Sequence, residues 1–137
     1  MSDIAVVFDT SALVAFVSGH AAVGELIAEV ADERRRVAVP AACLAGARAA
    51  IDDDLAAAHL LLLTTTPTVA VVALGSDRAA ATESVWRVGE FARDAGRDIG
   101  IGHAVFVALD EGAHVATMRP DVLAPILPDS WSILDLR

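Results

Sequence analysis

Lysine and tyrosine are absent from this chain, and cysteine occurs once. All ten basic residues are arginine, set against 19 acidic ones, for a formal net charge of −9 over 137 residues. An acidic chain without lysine lacks the broad basic surface that sequence-blind nucleic-acid binding relies on; only a small local basic patch stays open to it. The lone cysteine, Cys43, excludes an intramolecular disulfide and a cysteine-rich zinc site. In its apolar surroundings it reads as a small core residue. The N-terminal MSDIAVVFD has neither the basic flank nor the cleavage pattern of a signal peptide. The longest charge-free apolar run, Leu55 to Leu63, is interrupted by His59 and is far short of a membrane span. A soluble, cytoplasmic protein with no membrane partner is expected.

What is present is largely apolar. Hydrophobic residues make up 55% of the chain, enough for a core and too much for intrinsic disorder. The length fits a single domain over residues 1–137. Ile4 to Phe8 reads as a buried strand ending at Asp9. Thr10 and Ser11 are cap candidates for the apolar helix Ala12 to Val17. Val23, Leu26, Ile27 and Val30 are spaced for an amphipathic helix over Ala21 to Glu33, with Arg34 to Arg36 suited to its C-terminus. Val37 to Val39 is a second strand. Pro40 then opens an Ala-rich helix expected to run to about Leu55 and to end in Asp52, Asp53 and Asp54.

A further helical piece ends at Leu63, and Thr68 to Leu74 reads as a buried strand. Gly75 and Ser76 are expected to cap a helix to about Asp94, and Ala95 to Gly100 to form a loop. A helix over Ile101 to Glu111 closes at Gly112, followed by a strand at His114 to Thr117. A short helical turn at Pro120 to Leu127 and a last strand at Trp131 to Leu134 complete the chain. Short apolar strands alternating with helices predict a three-layer α/β/α sandwich on a mainly parallel sheet. His20, His59 and His114 form no spaced metal motif, and Trp86 and Trp131 read as core or interface anchors.

Parallel α/β sheets bind ligands at the carboxyl ends of their strands. Asp9 stands at such an end and is the foremost functional candidate. A structural role has equal weight, because Asp9 can also cap the helix that follows.

FDTSALVAF at 8 to 16 resembles the opening of a PIN domain, the fold of VapC-type toxin ribonucleases. VPAACLAGARA at 39 to 49 resembles that family's second strand and the helix after it, and IGHAVFVALDEGAHVAT at 101 to 117 its late helix and fourth strand. MRPDVL stands where the family carries its last acidic motif, and WSILDL resembles its final strand. The resemblance implies metal-assisted hydrolysis of RNA, with clustered carboxylates holding Mg²⁺ or Mn²⁺. It implies Asp9 as the first acid and Ser11 as its polar companion. The family's other acids fall on Gly46, His103 and Arg119 here, so one acid survives. Arg119 is expected to take the cation's place beside Asp9; at about 4 Å and an effective dielectric near 20 such a pair is worth on the order of 4 kcal/mol before desolvation.

Three residues are candidate substitutes for the lost ligands. His103 can bind a metal, but imidazole suits Mg²⁺ poorly, and a lining role is the simpler reading. Asp98 reads first as a loop or helix-start residue and Asp121 as an outward one. The expected function is therefore a degenerate PIN-fold protein without nuclease activity. It would act through protein contacts as a homodimer, with an antitoxin or another protein partner. The alternative is an active Mg²⁺- or Mn²⁺-dependent endoribonuclease using Asp9 with His103 and either Asp98 or Asp121. A phosphoacceptor receiver domain is the third reading, and it lacks the late lysine that family needs.

Overall fold

Apolar runs too short and too continuous for amphipathic helices become the strands of one sheet. The computed structural model describes residues 2–75 and 81–137. Its elements are β1 (Ile4–Phe8), α1 (Thr10–Val17), α2 (Ala21–Asp32), β2 (Arg36–Pro40), α3 (Ala41–Ala50) and α4 (Asp54–Thr64). They continue as β3 (Val69–Val72), α5 (Ala81–Arg93), α6 (Ile99–Glu111), β4 (His114–Thr117), α7 (Pro120–Leu123) and β5 (Ile133–Asp135). The strand order is β3-β2-β1-β4-β5, and every pairing is parallel. Helices flank the sheet, giving the expected α/β/α sandwich.

β1 is central and buried along its whole length, which is why IAVVF carries no polar alternation. Val7 pairs with Ala38 on one side and with Val115 on the other. The α6 helix is also mostly buried; over GIGHAV it is hidden on all sides, between α5, α3 and the sheet. Two arginines of the 34–36 run serve β1 instead of closing a helix. Arg35 donates to the Ile4 carbonyl at 3.0 Å, and Arg36 opens β2 and lies 4.0 Å from Asp3.

Several boundaries differ from the sequence reading for identifiable reasons. The helix after Pro40 stops at Ala50, and Asp53 caps a new helix by accepting from Ala56 N–H at 3.1 Å. The acidic run thus lies at a helix N-terminus, where the dipole favours it. Asp9, rather than Thr10 or Ser11, caps α1. β3 is an edge strand with Val71 exposed, not a fully buried one. α6 begins at Ile99, so Gly100 is helical, and β5 begins at Ile133. The helix turn after Pro120 ends at Leu123. Ser76 lies outside the described residues.

The tightest helix contact is that of α5 on α6, and Gly102 makes it possible. A Cβ there would stand 2.3 Å from the Val88 carbonyl oxygen and 2.8 Å from the Ala92 nitrogen. Backbone cannot yield as a flexible side chain can. Gly102→Ala should therefore destabilise by about 1–3 kcal/mol through overpacking. Gly24→Ala in α2, where a Cβ meets nothing within 4 Å, should instead gain up to about 1 kcal/mol from helix propensity. Urea unfolding of both variants checks the contrast.

Candidate functional site

The chain runs from β1 through β2 to the β3 edge, then returns to place β4 on the other side of β1. This reversal makes the carboxyl ends of β1 and β4 the switch point of the sheet, where α/β folds bind ligands. Asp9 follows β1, and Thr117 ends β4. The two meet.

Asp9 is 1% exposed, and both carboxylate oxygens accept hydrogen bonds from the chain itself. Oδ1 accepts from Ala12 N–H at 2.9 Å and from Ser11 Oγ at 2.7 Å. Oδ2 accepts from Thr117 Oγ1 at 2.5 Å. Ser11 Oγ in turn accepts from Met118 N–H at 2.9 Å, and Thr117 Oγ1 accepts from Arg119 N–H at 2.9 Å. The network ties the start of α1 to the end of β4. Burial pushes the Asp9 carboxyl above its ordinary value, and the Thr117, Ser11 and Ala12 donors pull it partly back. The Arg119 charge has the smallest influence.

Arg119 does not neutralise Asp9 as expected. Its guanidinium lies 3.9 Å from Asp98 Oδ2, with both side chains about half exposed. The carboxylate of Asp9 already accepts three short-range hydrogen bonds, and the Arg119 side chain stays half exposed. An exposed pair of this kind contributes at most about 1 kcal/mol. Asp98 is a helix-start residue: its Oδ1 caps α6 by accepting from Ile101 N–H at 3.1 Å. Asp121 lies in the first turn of α7 and faces Arg137 at 3.8 Å.

Gly46 and Gly100 close the space beside Asp9's neighbour. A Cβ on either would stand 3.0 Å from Thr10 Oγ1. The Thr10 hydroxyl sits between α3 and α6 and donates to the Cys43 carbonyl at 3.3 Å. Cys43 is buried as expected, its Sγ 3.0 Å from the Gly100 carbonyl, and burial pushes its thiol up. Gly46 is therefore packed against a threonine.

His103 is 1% exposed and caps a helix. Its Nδ1 accepts from Ala42 N–H at 3.3 Å, satisfying one of the donors that the start of α3 leaves free. That bond needs the neutral ring, and burial lowers the imidazole's affinity for a proton. The ring also borders a cavity of about 230 Å³ shared with Val72, Ser84 and Asp110.

The donors around Asp9 do not fit Mg²⁺ or Mn²⁺, which want several hard, free oxygen ligands. Asp9's oxygens are engaged, Gly46 offers none, Arg119 is cationic and His103 is a cap. Among the described residues no group of three or more His, Cys, Asp or Glu side chains is arranged to hold a metal ion. Sequence reasoning missed Thr10 and Thr117. A threonine closing a strand, as Thr117 does, was the available signal.

The protein is thus an α/β sandwich with an all-parallel sheet, whose switch-point carboxylate is bound by its own chain. No known protein-family model matches the chain, and no curated protein matches it. No single helix among the described residues is long and apolar enough to cross a membrane.

Two outcomes follow from the titrating groups. Thr117→Val removes a donor to the ionised carboxylate and should cost about 1–3 kcal/mol at neutral pH. That cost should shrink in acid, as Asp9 takes up a proton at its raised pKa and no longer needs the donor; chemical denaturation at both pH values measures it. His103 acts in the other direction. Its folded-state affinity for protons is lowered, so its stabilisation is complete above the unfolded value near 6.5 and is lost as pH falls below it. His103→Gln keeps an acceptor for Ala42 N–H without titrating, and should flatten the stability profile between about pH 7.5 and 5.5.

Proposed function

We propose that this is a degenerate PIN-fold protein that lacks metal-dependent nuclease activity and acts through protein–protein contacts, in a toxin–antitoxin-like or regulatory setting. The observation that carries the reading is the state of Asp9. Both of its oxygens accept from Ser11, Ala12 and Thr117, so the acid that matches the family's first ligand caps a helix and ties two elements together. The order of strands and helices and the all-parallel sheet agree with what the PIN resemblance implies. The packing of Gly46 on Thr10 supports a site remodelled as core. An antitoxin or other protein partner belongs to this reading, and RNA as a substrate belongs to the alternative.

Calorimetric titration with Mn²⁺ of the wild type and of Asp9→Asn tests it. Metal affinity is harder to mimic by contaminating ribonucleases than RNA cleavage is. Neither protein should bind in the micromolar range. Micromolar binding by the wild type, lost in Asp9→Asn, would overturn the reading. It would favour an endoribonuclease that uses Asp9 with His103 and Asp98 or Asp121, and RNA cleavage would be assayed next.

A further inference from the structure

Among the described residues, most of the large apolar side chains left exposed lie on two surfaces. The first is the outer face of α4, where Leu55, Leu61 and Leu62 are 78%, 69% and 64% exposed. The inner face of the same helix buries Leu60 and Leu63, and the helix packs on α1 and β3. A helix apolar on both faces ordinarily has both covered. Its N-terminal end carries the exposed acids Asp52, Asp53 and Asp54.

The second surface is a groove of about 640 Å³ along α5, lined by Leu74, Val85, Trp86 and Gly89, with Glu90 and Arg93 at its side. Trp86 is 71% exposed. Past Gly89 and Arg93 the groove meets a second cleft of about 390 Å³ that holds Arg97 and Ile99. Among the described residues neither Arg93 nor Arg97 forms an ion pair. Glu90 offsets Arg93 within the groove, so the net positive charge lies at its far end, where Arg97 joins Arg93.

The two surfaces also match in length. From Asp54 to Leu62 a helix rises about 12 Å, and from Trp86 to Arg93 about 10 Å, with Arg97 beyond. Laid antiparallel, α4 would set Leu61 and Leu62 against Trp86 and Leu74, and Leu55 with the aspartates against the Arg93 and Arg97 end. The helix dipoles would then oppose each other favourably.

We propose that α4 of one copy of this chain docks antiparallel into the α5 groove of a second copy. The contact joins two different surfaces, so two copies exchange it reciprocally or successive copies extend it. It gives the protein-contact reading a specific partner, yet uses none of the residues around Asp9. A negative result here leaves the reading of that carboxylate standing.

Sedimentation velocity of the full chain over a concentration series tests the proposal. The wild type should self-associate, and more weakly at high salt, because part of the contact is charged. Leu62→Glu, Trp86→Ala and Arg93→Glu alter exposed side chains and should each lower the association constant about tenfold or more, with circular dichroism unchanged. An equimolar mixture of Leu62→Glu and Trp86→Ala should regain association, because one protein retains the groove and the other retains α4. A wild type that stays monomeric overturns the proposal. So does wild-type association by the folded Trp86→Ala or Arg93→Glu protein. Failure of the mixture to recover overturns it too, since an intact α4 and an intact groove on different copies would then not suffice for the contact.

Discussion

A carboxylate buried at the carboxyl end of the central strand must find donors, and the geometry around Asp9 follows from that demand. Leaving it unsatisfied would cost several kcal/mol. The chain answers with the Ala12 N–H, the Ser11 hydroxyl and the Thr117 hydroxyl. Those bonds set where α1 starts and hold the end of β4 against it. Through Thr117 Oγ1 and Ser11 Oγ they also fix the Met118 and Arg119 backbone. A group with these obligations has little left to offer a metal ion.

The surrounding helices are drawn in by small residues. Gly46 and Gly100 let α3 and α6 close on Thr10, and Gly102 lets α5 lie on α6. His103 completes the junction by capping α3 from α6. Polar groups at this end of the sheet therefore satisfy one another: the Asp9 carboxylate, the Thr10 hydroxyl, the Asp98 carboxylate and the His103 ring each cap or bridge secondary structure.

The sandwich was legible because its signals are local. The short β-branched run IAVVF, bounded by Asp9, reads as a strand buried on both faces, and α2 shows its apolar period directly. Element ends were harder to read where two local signals compete. The Asp52–Asp54 run fits either side of a helix break, and only the Ala56 N–H it caps decides between them. Thr68 to Leu74 has the composition of a central strand, yet lies at the sheet edge because strand order is not encoded locally. The position of Asp9 at the end of the first strand was legible, and so was its alternative role as a helix cap.

By itself the sequence determined the fold class, the place of Asp9 at the end of the first strand, and the core placement of Cys43. These depend on residue type, spacing and hydrophobic period. Tertiary structure alone decided what the polar residues bond to. Asp9 is held by Thr117, 108 positions away; His103 reaches Ala42, 61 positions away; and Arg119 turns to Asp98. Hydrogen bonds and ion pairs act over a few ångströms, and which donors come within that range is set by strand order and helix packing, not by neighbours along the chain.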